Sequence, residues 1–151
     1  MSPAPLRLLP LALLVLAGCR PSSGPVSEGE AVYRATCQTC HGTQGQGVPR
    51  AFPPLAGSAW ATGDAGRAVR LVLHGVAGPV ERGGTRYDGI MPAHGHLSDA
   101  RIAAVLTFVR ASFGNDAPPI DSATVAAVRA ADGVRTRPLS ADEAERATGT
   151  P

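Results

Sequence analysis

The sequence predicts an all-α fold with a short, partly helical C-terminal extension. Three observations carry that expectation. Apolar residues recur at helical spacing in several stretches, capping and stop residues sit at their ends, and strand-helix-strand alternation is missing. Aromatics make up only 4% of the 151 residues while Ala and Gly are plentiful, so small aliphatic side chains must fill most of the core. All 14 basic residues are Arg, the formal charge is +2, and no long basic run exists, which removes the electrostatic case for nucleic acid. No segment has the ~20 continuous apolar residues of a membrane span.

Residues 1–18 read as a secretion signal: Arg7 near the start, an apolar run from Leu8 to Leu16 broken by Pro10, then small residues. The run ends Leu16-Ala17-Gly18-Cys19, which resembles the bacterial lipoprotein signal, in which cleavage precedes the Cys and that Cys is acylated. The resemblance implies lipidation of Cys19, a membrane anchor and a periplasmic location. Arg20, where an Asp favours inner-membrane retention, points to the outer membrane. The other reading is an incidental Cys behind an ordinary signal peptide. Acyl chains contribute about 0.8 kcal/mol per buried methylene, so a multiply acylated Cys19 tethers stably. Residues 19–25, with Pro, Ser and Gly, form the lipidated linker.

The first helix is expected from Ser27 or Glu28 to Cys37, with Val32, Tyr33 and Thr36 on one side. It leads into Cys37-Gln38-Thr39-Cys40-His41, the spacing of a c-type haem attachment site. Two thiols so spaced can add to the two haem vinyl groups, and the adjacent His can reach the iron. A thioredoxin-like pair needs a strand-helix-strand context that is absent, and no second Cys pair exists for a four-Cys zinc site. A zinc site completed by His74, His94 or His96 stays open on composition alone.

From about Val26 to Gly114 the chain resembles a class I, single-haem cytochrome c. Gly29 and Tyr33 lie eight and four residues before Cys37, as the family's Gly and aromatic do, and steps of four return to one helix face. Pro53-Pro54-Leu55 falls twelve to fourteen residues beyond His41, matching the family's Pro-x-Leu. The resemblance implies that the Pro53 carbonyl accepts a hydrogen bond from the ring of His41, the proximal ligand; a plain extended loop is the alternative. Such bonding fixes the tautomer and raises ligand basicity. Tyr87-Asp88-Gly89-Ile90-Met91-Pro92 resembles the family's Met-Pro loop, which implies Met91 as sixth ligand, fifty residues past His41. Met91 is the only Met left once the signal is removed. Against this stand Met91 as core filler and His94 or His96 as bis-His partner. His96 is an extra residue relative to the family's passage from this loop into its last helix.

The second helix is expected over Asp64–His74, with Ala68, Val69, Val72 and Leu73 at helical spacing and Gly75 as its stop. His74 there suits the helix dipole and reads as structural. Gly78 to Gly89 is a polar loop in which Gly83-Gly84 can turn a short hairpin. The third helix opens at Leu97-Ser98-Asp99, with Ser98 as cap and Leu97 stapled to Ile102. It carries the stripe Ile102, Val105, Leu106, Val109, with Phe108 beside it, and closes at Gly114. The resemblance implies that it crosses the first helix near Gly29 and Tyr33. Residues 26–115 thus form the cytochrome domain. Residues 116–151 carry four Arg against six acidic residues, with a short helix from Asp121 or Ser122 through Ala131. Folding onto the domain, contacting a partner and staying mobile are equally open for this extension.

Trp60, Tyr33 and Tyr87 are candidates to place a polar tip near a haem propionate, and Arg50 or Arg86 to pair with one; packing or solvated surface is the bland reading of each. Gly42, Gly45 and Gly47, with no Gly-Lys-Ser or Gly-Lys-Thr following, favour close passage of backbone past the haem over phosphate binding. With both axial positions filled, haem c confines the iron to gaining and losing one electron. The resemblance implies an electron carrier, not an enzyme in its own right, serving a dehydrogenase, reductase or terminal oxidase partner. Removing residues 1–18 takes away Arg7 alone and leaves 13 Arg against 12 acidic residues, so strongly cationic docking is not expected. The alternative function is a haem-based sensor or peroxidase-like protein whose sixth ligand leaves, with His94 and His96 as distal polar groups.

Overall fold

The computed structural model describes residues 27–150; the expected signal 1–18 and the linker 19–25 with Cys19 lie outside these residues. The order is α1 (Glu28–Val32), a π-helical turn (Tyr33–Cys37), α2 (Gln38–His41), α3 (Ala59–Thr62), α4 (Ala65–His74), β1 (Val80–Arg82), β2 (Thr85–Tyr87), α5 (Asp99–Arg110), α6 (Ser122–Asp132) and α7 (Ala141–Arg146). The fold is mostly helical, with one antiparallel hairpin that pairs Val80 with Tyr87 and Arg82 with Thr85. Among the described residues no helix is long and apolar enough to cross a membrane.

Each main helix starts where a side chain satisfies an orphan N–H of the first turn. Ser27 accepts from the Glu30 N–H, Asp64 from Arg67, Ser98 from Arg101 and Asp121 from Thr124. The first helix runs past its expected end at Cys37, because the wide π turn carries it through the Cys-containing segment to His41. The third stops at Arg110 rather than Gly114, where Ala111 to Gly114 turn the chain instead. Neither α3 nor α7 was expected from the sequence.

Helices α1 and α5 cross at Gly29, where a Cβ would collide with the Ala104 carbonyl oxygen and Phe108 Cβ. Only glycine lets the two backbones approach so closely. Tyr33 lies beside that crossing, 1% exposed, its ring 5.5 Å from Phe108 and 5.1 Å from Phe113. The main core joins Val32, Tyr33, Val69, Leu73, Ile102, Val105, Leu106 and Val109 to Ile120, Val125 and Val128. The extension therefore folds onto the helices before it. A second cluster joins Leu71, Val76 and Val80 to Leu139 and Ala144, with Trp60 and Met91 packed against it. Buried Arg110 ties the layers through bonds to the carbonyls of Ala61 (2.8 Å), Gly63 (3.1 Å) and Pro118 (2.6 Å).

Candidate haem site

The chain forms a largely apolar cavity of about 120 Å³ that is partly open to solvent. Its walls come from every part of the domain: Cys37 and His41 after the π turn, Phe52 to Leu55 from the next loop, Ala68, Leu71 and Val72 from α4, Val80, Arg82 and Tyr87 from the hairpin, Met91, and Val105, Leu106 and Val109 from α5. The residues that the sequence singled out thus converge: Cys37, His41, Pro53 and Met91 all face one space. Cys40 sits half-buried next to His41 without lining it, and both thiols of the motif are free.

His41 Nδ1 lies 3.0 Å from the Pro53 carbonyl oxygen. That oxygen can only accept, so Nδ1 carries the proton and donates it, which leaves Nε2 with a lone pair available to a metal. Burial holds the His41 pKa below its ordinary value; the bond to Pro53 opposes this and nearby His94 adds to it. The neutral, ligating form of the ring is the favoured one. Burial also pushes the Cys37 thiol up to about 11.

Met91 is positioned by backbone. Its N–H donates to the Val76 carbonyl and its carbonyl accepts from the Val76 N–H, both at 2.9 Å. Gly75, which ends α4 at φ 70°, makes this approach feasible, since a Cβ there would strike the Met91 carbonyl. His96 is exposed and does not line the cavity. His94 is buried, its ring 5.9 Å from that of His96, and its Nδ1 has no hydrogen-bond partner among the described residues. No group of three His, Cys, Asp or Glu side chains converges among the described residues, so the zinc reading finds no ligand set there.

The weaker candidates separate. Trp60 and Tyr87 line the cavity; Tyr33, Arg50 and Arg86 do not. Tyr33 instead donates its hydroxyl to the Gly42 carbonyl at 2.6 Å, and burial pushes its pKa to about 12. Arg86 is exposed and paired with Asp88 at 3.1 Å, and Arg50 is exposed. The cation on the cavity is Arg82, which sequence reasoning missed. Its guanidinium stacks 3.6 Å from the Trp60 ring centroid, pairs with Glu145 at 2.8 Å, and leaves a buried Nη2 without a partner among the described residues. Strand alternation was the signal that would have found it, because period two puts Arg82 on the face of Val80. His74 is structural, with Nε2 3.0 Å from Asp132 on α6.

An apolar slot lined by a neutral imidazole, a thioether, a thiol and a guanidinium with one unpartnered nitrogen fits a metalloporphyrin with carboxylate arms. Comparison with known proteins agrees. Residues 24–109 match the family model described as cytochrome c oxidase, cbb3-type, subunit III. The chain belongs to this family of cytochrome c domains. It is 36% identical over 109 residues to cytochrome c-552 of Thermus thermophilus, covering 70% of this chain and 71% of that relative. It is 35% identical over 102 residues to the cytochrome c subunit of the quinone alcohol dehydrogenase of Gluconobacter oxydans, and 33% over 121 residues to the cytochrome c subunit of gluconate 2-dehydrogenase from Pantoea cypripedii. Of those two relatives it spans only 21% and 26% of the length. The protein is a cytochrome c with covalently bound haem c, an electron-transfer protein and not a catalytic enzyme.

Proposed function

We propose that this cytochrome is a membrane-tethered periplasmic one-electron carrier in which Cys37 and Cys40 bear the haem, His41 and Met91 ligate its iron, and acylated Cys19 anchors the chain. The observation that carries the reading is the shared cavity in which His41, oriented by Pro53 at 3.0 Å, faces the same space as Met91. When bound, the haem supplies a metal that changes oxidation state by one electron. The chain's residues do the rest. Pro53 holds His41 in one tautomer, Val76 holds the Met91 loop, and the apolar walls keep water away. A thioether is a soft ligand, and Met/His coordination raises the reduction potential. Arg82, backed by Trp60, offers its unpartnered Nη2 to a propionate. The dehydrogenase cytochrome subunits among its relatives support a dehydrogenase as electron donor; a reductase or terminal oxidase suits the acceptor side.

Visible spectra of the purified holoprotein test the ligand set. Low-spin bands with a Met-to-ferric charge-transfer feature are expected. Met91→Ala should abolish that feature, lower the potential and let reduced iron bind carbon monoxide; unchanged ligation would sink the assignment. Cys19→Ser should move the protein from the membrane to the soluble periplasmic fraction, and continued membrane association would remove the anchor.

A further inference from the structure

Residues beyond the matched family region close on the Met91 loop from both sides. Leu139 adds to Val76 along the edge that Met91 leaves free: its N–H donates to Gly75 at 3.0 Å and its carbonyl accepts from Ala77 at 2.8 Å. Met91, Val76 and Leu139 so form three neighbouring backbones, with the Leu139 side chain 4% exposed against Val76 and Val80. At the other end of the loop Arg129, on α6, donates to the carbonyls of Gly95 (2.7 Å) and Leu97 (2.9 Å) and pairs with Asp99 (2.7 Å).

The extension is itself fastened to α4. Arg67 donates to the Glu145 carbonyl and Arg70 to the Gly149 carbonyl, both at 2.7 Å. The Gly149 N–H donates to Asp64 at 3.0 Å. Gly66 leaves room for that approach, since a Cβ there would meet the Gly149 carbonyl. From this geometry we infer that the C-terminal extension is a clasp on the sixth-ligand loop, with Leu139 and Arg129 as positioning residues for Met91. The inference rests on Met91 being the sixth ligand. Opening of a thioether–iron bond is held back where the loop that carries the thioether cannot retreat, and a loop bonded on both flanks moves against more contacts. The extension thereby keeps the site closed to small exogenous ligands and devoted to electron transfer.

The test uses full-length holoprotein. Leu139→Asp and Arg129→Ala should each speed carbon monoxide uptake by the ferrous form, about tenfold or more for Leu139→Asp, because losing one buried Leu shifts the opening equilibrium by at least that factor. Both should tighten imidazole binding to the ferric form. Val134→Ala, at a fully exposed site of the extension, should change neither. If Leu139→Asp yields no holoprotein, Leu139→Ala replaces it, with the same sign expected. A merely structural extension would lower the denaturation midpoint in both variants and leave uptake unchanged, which overturns the clasp. A wild-type spectrum without the Met-to-ferric feature overturns the ligand reading and the clasp with it.

Discussion

At the scale of single residues, the chemistry of the site depends on where protons and charges are held. Arg82 lies on the cavity with one nitrogen unpartnered, so replacing it by Gln removes a positive charge from the cavity wall, which would favour the ferric state of a haem held there. Arg82→Gln should therefore lower the reduction potential in redox titration while leaving the axial-ligand bands in place. Tyr33 makes the contrasting case. Its hydroxyl donates to the Gly42 carbonyl, whose other donor is the Gly45 N–H at 3.4 Å, so Tyr33→Phe removes the shorter bond at a cost of about 1 kcal/mol, read in denaturant unfolding, without moving the haem spectrum. Burial raises the Tyr33 pKa to about 12, above the ordinary 10.0. The neutral phenol is thus favoured in the folded chain: this contribution is complete below pH 10 and fades as pH rises toward 12. Tyr33→Phe should flatten that part of the stability profile. That His41 and Met91 share a cavity was expected from the sequence, because the motif spacing and the Met-Pro loop single out both residues. Arg82 was not, since its relevance comes from a strand face.

Among the elements, the crossing of α1 and α5 has the narrowest tolerance. Gly29→Val pushes two methyls into the Ala104 carbonyl and Phe108 Cβ, and overpacking of this kind costs roughly 1–3 kcal/mol or more. Thermal unfolding should show the loss, and haem incorporation should fall with it. Helix α7 shows what a local signature can convey if followed: Ser140 and Glu143 make a reciprocal capping box, readable as Ser-x-x-Glu. Hydrogen bonds from Arg137 first, then the Ser140 backbone and Arg135, hold the Glu143 carboxyl well below its usual range. A depressed acid supports the folded state above its ordinary pKa and loses that support as pH falls through its folded value. Acidification should accordingly loosen α7 in amide-exchange measurements, and Glu143→Gln should remove this dependence. The α1-to-His41 segment could not be bounded from sequence, because a π turn satisfies the same apolar spacing with one residue more per turn.

For the molecule as a whole, cofactor and core are one. The cavity of about 120 Å³ opens onto both hydrophobic clusters, through Val105, Leu106 and Val109 on one side and Leu71, Val76 and Val80 on the other. At about 24 cal/mol per Å³, leaving that volume empty costs about 3 kcal/mol, a substantial part of the ~5–15 kcal/mol that holds a typical domain together. Chain produced without haem attachment, or as Cys37→Ala/Cys40→Ala, should unfold at a clearly lower temperature by calorimetry. A cooperative transition close to that of holoprotein would refute this dependence.

Taken alone, the sequence determined the mostly helical class, the cap Ser98, the glycine at the helix crossing, and the Cys-x-x-Cys-His spacing of a haem attachment motif. These follow from spacing and side-chain chemistry within short segments. Tertiary structure decided which cation meets the cavity and that the last thirty-odd residues fold back onto the helices and the Met91 loop. The partners in those outcomes lie sixty or more residues apart, as Val76 with Leu139 and Arg82 with Glu145 do, and a local pattern can place a side chain on a face without naming its partner at that range.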